Sequence, residues 1–329
     1  MNKSWIIGID GGASRSKAVL LDQFGKTHRQ LTFKGSSLTV NFDQAPTRIK
    51  DAIESLCKLQ KIDLNDIEAV GIGLAGASNE DGRDRVFSML DGIRISNRSI
   101  IMSDAEAAYE VNCPMGNGIL VSVGTGVICM SRDDDGNVFR TGGLGHDVDS
   151  GSGFWIGKEA MLKVAISENA EFADPDLFEM SKLVTKLFRG DSFTHAVEKV
   201  MGAAESVREI ASLCKPVCKL AEENNDVALG IIQEATLAVS EMILQLTTEV
   251  GSKLKANPFI IAGNGGVMKN PLFRNLLRDA LKFEIPHLNW VFSELSPAYG
   301  AGLVAARFRN IPLSIVAITE HLHADRSNC

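Results

Sequence analysis

A carboxylate and a glycine-rich turn follow directly after an apolar segment near the start of the chain. Asp10 ends the run Ile6–Ile9, and the turn after it consists of Gly11, Gly12, Ala13 and Ser14. Glycines tolerate φ > 0 and let backbone N–H groups approach an anion closely. A carboxylate beside such a turn is typical of a magnesium ion held between protein and nucleotide. The pattern predicts phosphate binding here, with Arg15 and Lys17 adjacent.

Two later glycine-rich turns also follow apolar strands, at 124–126 and at 263–266. Three such turns together predict a cleft lined with phosphate-binding backbone. The P-loop pattern GxxxxGK[ST] does not occur in the sequence, which excludes that mode of binding. The nucleotide-binding candidates in these turns are Gly124, Thr125, Gly126, Gly263, Asn264, Gly265 and Gly266.

Asp104 is the best candidate for a catalytic base. It follows the predicted strand Arg98–Ser103 and precedes the predicted helix Ala105–Val111, and the small residues after it leave room for a ligand. Phosphoryl transfer needs a base that orients the attacking hydroxyl. The alternative is that Asp104 caps the helix, and both roles can hold together.

The stretch 142–153 is too rich in glycine and aspartate for a core segment and is predicted to be a polyol-binding loop. Its candidate ligands are Gly145, His146 and Asp149. His146 could act as a general base, although a supporting hydrogen-bonding role is favoured.

The elements that must position these residues alternate between strands and helices. Strands are predicted at 5–10, 16–22, 27–33, 67–75, 98–103, 119–123, 127–131, 138–141, 259–262 and 290–292. Helices are predicted at 42–61, 80–90, 105–111, 153–166, 175–188, 203–223, 226–256, 271–281 and 296–307, with one more helix-like stretch after 312. The order strand, glycine turn, strand, hairpin, strand occurs twice, from Trp5 and from Ile119, and predicts two similar domains facing a cleft.

The domain boundaries follow from this repeat. Residues 1–115 are predicted to form an N-terminal domain that the tail 312–329 rejoins, and residues 116–311 a larger domain with a helical insertion over 151–256. The stretch Gly71–Gly76 matches GxGxxG, but its glycines lie within the predicted strand. A tightly packed central strand is therefore favoured over a dinucleotide site.

Composition narrows the class of protein. The 329 residues are 45% hydrophobic and carry a formal net charge of −7, which argues against non-specific nucleic-acid binding. We expect no membrane association, because no run resembles a signal peptide or approaches about 18 apolar residues. Six cysteines without CxxC spacing favour a reduced, cytoplasmic protein, with Cys214 and Cys218 as core residues rather than metal ligands.

The chain contains, in this order, the motifs IGIDGGASRSK, GLAGAS, SDAEAA, VSVGTG, DSGSGFWIG, IIAGNGGV and SPAYGAGLVAA. Together they resemble the BadF/BadG/BcrA/BcrD-type ATPases, and among these the N-acetylglucosamine and glucosamine kinases of the actin-like, hexokinase-related superfamily. The resemblance implies an α/β fold of two ribonuclease H-like domains, each a mixed sheet flanked by helices, with an interdomain cleft. It also implies ATP and Mg²⁺ as cofactors, an amino sugar as substrate and a homodimer.

The same resemblance implies residue roles. Asp10 would hold magnesium through water, residues 11–15 and 124–126 would form two phosphate loops, 263–266 would border the adenosine, and Asp104 would accept the proton of the sugar hydroxyl. The sugar-binding residues would be Asn41, Asp104, Thr125, Gly145, His146 and Asp149.

The chain departs from the family pattern at three places. Ala13 replaces a glycine. Residues 149–152 read DSGS where DEGS is usual, and the loop before them is a residue shorter. The segment before Asn41 reads SSLTV instead of the usual form.

Two other functions stay open. One is an ATPase activator of a radical dehydratase, which the 124–126 turn and the lack of an iron–sulfur cluster pattern at Cys113 and Cys129 disfavour. The other is a non-catalytic sugar sensor, which is disfavoured because no basic helix-turn-helix precedes Trp5.

Overall fold

Two five-stranded sheets carry the three glycine-rich turns. The computed structural model describes residues 4–114, 118–133, 135–167, 174–250, 260–285 and 288–327. The strands are β1 (Trp5–Gly11), β2 (Arg15–Asp22), β3 (Thr27–Lys34), β4 (Ile67–Leu74), β5 (Ser99–Ser103), β6 (Ile119–Val123), β7 (Val127–Arg132), β8 (Val138–Gly142), β9 (Ile260–Asn264) and β10 (Asn289–Val291). The helices are α1 (Ala45–Gln60), α2 (Glu80–Gly92), α3 (Asp104–Asn112), α4 (Gly153–Ser167), α5 (Pro175–Phe188), α6 (Phe193–Met201), α7 (Ser206–Ala211), α8 (Cys214–Glu222), α9 (Asp226–Val250), α10 (Pro271–Leu281), α11 (Pro297–Phe308) and α12 (Ile315–Ser327).

The two sheets have the same topology. Their strand orders are β3-β2-β1-β4-β5 and β8-β7-β6-β9-β10. In each sheet the first three strands in sequence pair antiparallel, and the later two add in parallel. The predicted repeat and the mixed sheets are therefore confirmed.

Contacts along the chain define two units. Unit 1 comprises residues 1–115 and 293–329, and unit 2 comprises 116–292. The prediction that the chain returns to the first domain only at 312 is wrong, because α11 already packs on the first sheet. A Cβ atom at Gly8 of β1 would overlap the carbonyl oxygen of Ala298, and one at Gly71 of β4 would overlap that of Ala301. Because these strand glycines have no Cβ, the backbone of α11 packs directly against β1 and β4, so α11 belongs to unit 1.

The GxGxxG stretch has the packing role favoured from the sequence. Gly71 lies under α11, and a Cβ at Gly73 would come within 2.7 Å of the Cβ of Ala107 on α3. Gly76 adopts φ +80° in the turn that follows β4. Packing and turn geometry explain all three glycines.

Unit 2 contains the helical insertion, and two details there differ from prediction. The expected helix over 203–223 is two helices, α7 and α8, and Pro216 in the first turn of α8 lacks the N–H that a continuous helix would need. The helix α6 was not predicted, although Ser192 caps it by accepting a hydrogen bond from the N–H of His195 at 3.2 Å. The predicted end of α9 at 256 lies outside the described residues.

The long helix α9 corrects the expectation about apolar runs. By length and composition it could cross a membrane, since an 18-residue window has a mean hydropathy of 1.6. Its buried residues are Ala228, Ile231, Ile232, Ala235, Thr236, Val239, Ser240, Ile243, Leu246 and Val250. The apolar members of this set belong to the core of unit 2 with α4, α5 and α8, as expected of a core helix. Cys214 and Cys218 are buried in the same core as free thiols, as predicted.

Candidate active site

The first glycine-rich turn is held by hydrogen bonds to its carbonyl groups. The N–H of Ala75 donates to the carbonyl oxygen of Gly11 at 3.1 Å, and the N–H of Ser36 donates to that of Gly12 at 3.1 Å. Both donors come from loops that follow neighbouring strands. The backbone of the turn is therefore fixed by the ends of β3 and β4.

A third carbonyl of this turn is held by a side chain. The amide of Asn41, oriented with its nitrogen toward two carbonyl groups, donates to Ala13 at 2.9 Å and to Gly35 at 3.1 Å. This orientation satisfies both N–H bonds of the amide, whereas the opposite one would set its oxygen against two acceptors. Asn41 is 4% exposed, and a polar side chain buried to this degree normally makes hydrogen bonds.

Anchored carbonyl groups leave N–H groups available. In a trans peptide the C=O and the following N–H point in opposite directions, so the N–H groups of Ala13 and Ser14 are directed away from the anchors of Gly12 and Ala13. Neither N–H donates a hydrogen bond to any described residue. Two such donors next to the exposed Arg15 could meet an anion, and phosphate binding by this turn stays a prediction.

The conformational reason expected for the first two glycines is wrong. Neither Gly11 nor Gly12 adopts a positive φ. A Cβ at Gly11 would overlap Leu74 and lie 2.8 Å from the hydroxyl of Ser36, and one at Gly12 would lie 2.9 Å from the carbonyl oxygen of Arg15. Close packing, not left-handed backbone, requires glycine at these positions.

The carboxyl group of Asp10 lies at the end of β1, opposite Lys17 in the β1–β2 register. Burial, and to a smaller extent the charge of Asp104, raise the pKa of Asp10 to about 7, and the charge of Lys17 opposes both. No described residue donates a hydrogen bond to this carboxylate. An acceptor without protein donors suits a hydrated magnesium ion, and the residues present fit that group.

Asp104 is the first residue of α3, and the cap is its neighbour. The hydroxyl of Ser103 accepts from the N–H of Glu106 at 3.1 Å, and the Glu106 carboxylate accepts from the N–H of Ser103 at 2.9 Å. This reciprocal arrangement is a capping box, so the helix does not use Asp104 as its cap. The Asp104 carboxylate accepts from the N–H of Ala105 at 3.0 Å, and burial raises its pKa.

Glycines also fix the position of the helix that carries Asp104. A Cβ at Gly73 of β4 would lie 3.6 Å from the Cα of Asp104. A Cβ at Gly300 of α11 would overlap the carbonyl oxygen of Ala107. The helix α3 therefore rests directly on backbone from two sides, which fixes the start of α3 and with it Asp104.

The second turn, in unit 2, uses the beginning of a helix as its anchor. The N–H of Gly153 donates to the carbonyl oxygen of Gly124 at 2.8 Å, and the N–H of Phe154 donates to that of Thr125 at 3.2 Å. The N–H groups of Thr125 and Gly126 donate to none of the residues that the structure describes. This turn also offers two backbone donors to an anion.

Several glycines in unit 2 have no structural reason to be glycine. Gly124, Gly126 and Gly266 have ordinary φ values, and a Cβ at each would meet nothing within 4 Å. A ligand lying against the backbone would explain them. Gly263 differs because a Cβ there would overlap the ring of Phe292, and Gly265 differs because its φ is +91°.

Asn264 has a packing contact of its own. Its amide donates to the hydroxyl of Ser122 at 2.9 Å, which ties the end of β9 to β6. A role for 263–266 beside the adenosine stays a prediction.

The predicted acceptor loop is closed by its own carboxylate. One oxygen of Asp149 accepts from the N–H groups of Leu144 at 2.9 Å and Gly145 at 3.0 Å, and the residue is 5% exposed. The imidazole of His146 packs edge-on against Phe154 with the ring centroids 4.9 Å apart. Phe154 also holds Thr125, so His146 supports the second turn, while sugar contacts of the loop stay a prediction.

Comparison with known proteins decides the family. The sequence profile of the BadF/BadG/BcrA/BcrD ATPase family matches residues 7–305. The chain belongs to this family. The match spans both units and all three turns, and it carries ATP use with it.

Two relatives of this ATPase cover nearly its whole length. The N-acetylmuramic acid/N-acetylglucosamine kinase of Clostridium acetobutylicum is 26% identical over 306 residues, which are 92% of this chain and 98% of the relative. The N-acetyl-D-glucosamine kinase of Dictyostelium discoideum is 24% identical over 324 residues, which are 93% and 98%.

Solved structures confirm the predicted fold class of the ATPase. A Chromobacterium violaceum protein assigned as an N-acetylglucosamine kinase superposes with a TM-score of 0.76 at 20% identity, covering 93% of this chain and 100% of the other. A ROK family glucokinase from Streptomyces griseus, in complex with glucose and AMPPNP, gives 0.60 at 16% identity, covering 92% and 100%. These likenesses agree with the α/β fold of two mixed five-stranded sheets.

Sequence reasoning missed the residues that hold the turns of this ATPase. Gly35 and Ser36 lie between the predicted strand 27–33 and the predicted helix 42–61, and Gly153 was interpreted only as the start of a helix. The capping box of Ser103 and Glu106 was readable from the S-x-x-E spacing and would have decided the role of Asp104. No sequence signal identifies the backbone anchors.

Proposed function

We propose that this protein transfers the γ-phosphoryl group of ATP to an amino sugar, N-acetylglucosamine or glucosamine, and forms the 6-phosphate. Its family and its kinase relatives make it an ATP-dependent sugar kinase. Both relatives carry N-acetylated hexosamines in their names, which supports an amino sugar as the acceptor.

The observation that carries the proposal is the state of Asp104. Ser103 and Glu106 cap α3, which leaves the Asp104 carboxyl group available, and burial raises its pKa, which makes the carboxylate a stronger base. In the proposed reaction the sugar hydroxyl oxygen bonds to the γ-phosphorus, the bond from that phosphorus to the β-γ bridging oxygen breaks, and Asp104 accepts the hydroxyl proton.

Each anchored turn would by itself bind phosphate. The N–H groups of Ala13 and Ser14 in unit 1 and of Thr125 and Gly126 in unit 2 are donors without protein acceptors among the described residues. Preorganised donors of this kind stabilise charge without having to reorganise during the reaction.

Asp10 would hold a magnesium ion through its water ligands. Magnesium bound there would neutralise part of the charge on the transferring phosphate groups. The carboxylate of Asp10 and the ammonium group of Lys17 would orient the nucleotide at this end of the sheet, which the proximity of their charges supports.

A coupled assay of ADP release tests the proposal. The purified protein is offered glucosamine, N-acetylglucosamine, N-acetylmuramic acid, N-acetylmannosamine and glucose, and the phosphorylated carbon is read from the NMR spectrum of the product. Turnover with an amino sugar at carbon 6 supports the proposal. ATP hydrolysis that no sugar accelerates, together with bound iron after anaerobic purification, would favour a dehydratase activator instead.

A variant pair tests the role of the base. Asp104→Asn should lower kcat by about 10³-fold or more while the Kd for ADP stays within about twofold, because general-base catalysis is lost and nucleotide contacts are not. Glu106→Ala is the control, since it removes the capping box of the same helix without touching the base. Equal losses in both variants would show that Asp104 only supports the helix.

The remaining inferences come from resemblance. We propose a homodimer, which light scattering on the eluting protein measures directly.

A further inference from the structure

We propose that Asn41 is a positioning residue for ATP, acting through the carbonyl group of Ala13, in addition to any contact with the sugar. The inference rests on the proposed function of the first turn as a phosphate loop. It assigns to Asn41 an effect on nucleotide binding in the absence of sugar.

The geometry gives Asn41 two backbone partners. Its amide nitrogen donates to the carbonyl oxygens of Ala13 at 2.9 Å and Gly35 at 3.1 Å, and the residue is 4% exposed. The donor capacity of the amide is thereby used, and only its oxygen is left for a sugar hydroxyl. A residue that served the sugar alone would not need to be fixed to the phosphate loop.

Asn41 bridges the segment that contains Ala13 and the segment that contains Gly35, and the backbones of these two segments lie close together. A Cβ at Gly35 would overlap the carbonyl oxygen of Ala13, so glycine is required where these segments meet. The guanidinium of Arg48 on α1 donates to the same Gly35 carbonyl group. Arg48 thus holds one of the two partners of Asn41 and has no bond to the other.

The bond to Ala13 has a direct consequence for the turn. Because C=O and N–H are opposed in a trans peptide, fixing the Ala13 carbonyl group also fixes the direction of the N–H of Ser14. That N–H is one of the two donors available to phosphate. Losing the anchor would let the peptide rotate and would weaken the donor.

The substitution Asn41→Asp tests this with almost no change in shape. A carboxylate has no N–H to donate and would face two carbonyl oxygens, so the Ala13 peptide should lose its anchor. We expect the Kd for ADP, measured by calorimetry without sugar, to rise about tenfold, as for one lost hydrogen bond with an acceptor left unsatisfied. The KM for ATP should rise in parallel.

Two further variants exclude a merely structural effect. Asn41→Ser keeps a small polar side chain that is too short to span both carbonyl groups, and it should raise the Kd for ADP in the same direction without the added charge. Arg48→Met removes the other hydrogen bond to Gly35 and should leave the Kd for ADP within about twofold of wild type. The melting temperature of each variant, measured alongside, shows that the folded protein is compared.

The results for the three variants either support or overturn the proposed role of Asn41. A rise in the Kd for ADP in both Asn41 variants but not in Arg48→Met supports the proposal. A rise confined to the sugar KM, or equal rises in all three variants, would overturn it, since the first means a plain sugar ligand and the second a general loosening of the loop. If wild-type protein binds no ADP, the proposed function fails instead.

Discussion

The first and second glycine-rich turns follow equivalent strands of two sheets with the same topology, yet different groups hold them. Both present two backbone N–H groups by fixing the carbonyl groups on the other side of the peptides. In unit 1 a side-chain amide and two loop N–H groups supply the donors, and in unit 2 the first N–H groups of α4 supply them. The two repeats therefore share the glycine-rich turn, but not the groups that donate hydrogen bonds to its carbonyl oxygens.

This difference has consequences for substitution. A side-chain anchor such as Asn41 can be removed by one change, whereas a backbone anchor such as the N–H of Gly153 can only be displaced. Added methyl groups at the anchor glycines provide a matched way to compare the two turns, because each would push on a carbonyl oxygen of its turn.

Among the glycine substitutions, the largest effect is expected for Gly35→Ala. The new Cβ would overlap the carbonyl oxygen of Ala13, which the amide of Asn41 holds in place. We expect kcat/KM for ATP to fall about a hundredfold, as for a strong overpacking defect of about 3 kcal/mol. Steady-state kinetics measure the change. Gly92→Ala in the same unit is the control, because a Cβ there meets nothing within 4 Å and activity should not change.

A smaller effect is expected for Gly153→Ala in unit 2. Its Cβ would lie 2.7 Å from the carbonyl oxygen of Gly124, so the start of α4 has to shift by a few tenths of an ångström. The Kd for ADP should rise about tenfold, corresponding to the low end of overpacking costs. Gly230→Ala on α9, with nothing within 4 Å, is its control. If Gly153→Ala lowered kcat/KM for ATP more than Gly35→Ala does, the expected ranking of the two turns would be wrong.

Charge separates the two turns as well. The first is preceded by Asp10, whose pKa burial raises to about 7, while the second is preceded by Val123. A carboxyl group with a raised pKa in the folded state favours folding when protonated, and this contribution is lost as pH rises from about 4 to about 7. In magnesium-free buffer Asp10→Asn should therefore melt higher than wild type by about 2–4 °C at pH 8 and no higher at pH 4. Calorimetry across this range measures the gap, and a gap independent of pH would contradict the assignment.

Much of the framework was predictable because its signals are local. Apolar runs ended by glycine or aspartate located β1, β6 and β9, and the hairpin turns gave the antiparallel pairs. The return of the chain to unit 1 at 293 was not predictable in this way, because the small residues of α11 show their purpose only against the glycines of β1 and β4.

The residues of the candidate site could be predicted from the sequence, but the hydrogen bonds that hold its glycine-rich turns in place could not. Asp10 and Asp104 could be identified because carboxylates at strand ends are conspicuous. The partners of Asn41 could not, because a hydrogen bond to the Ala13 carbonyl group depends on how the segment after β3 folds back on the first turn. The contact of Gly153 could not be predicted either, because every residue except proline has a backbone N–H and the sequence does not show which acceptor it meets.

The smallest expected effect concerns Ala13, the residue that departs from the family pattern. The sequence suggests that its methyl group narrows the phosphate nest. The structure adds that its carbonyl oxygen is anchored by Asn41 while its N–H donates to no described residue. Ala13→Gly should make the turn less preorganised, because glycine has more backbone freedom, and should raise the KM for ATP about two- to fivefold with the sugar KM unchanged. A fall in the KM for ATP would favour simple widening of the nest, and a change confined to the sugar KM would show that this turn does not serve the nucleotide.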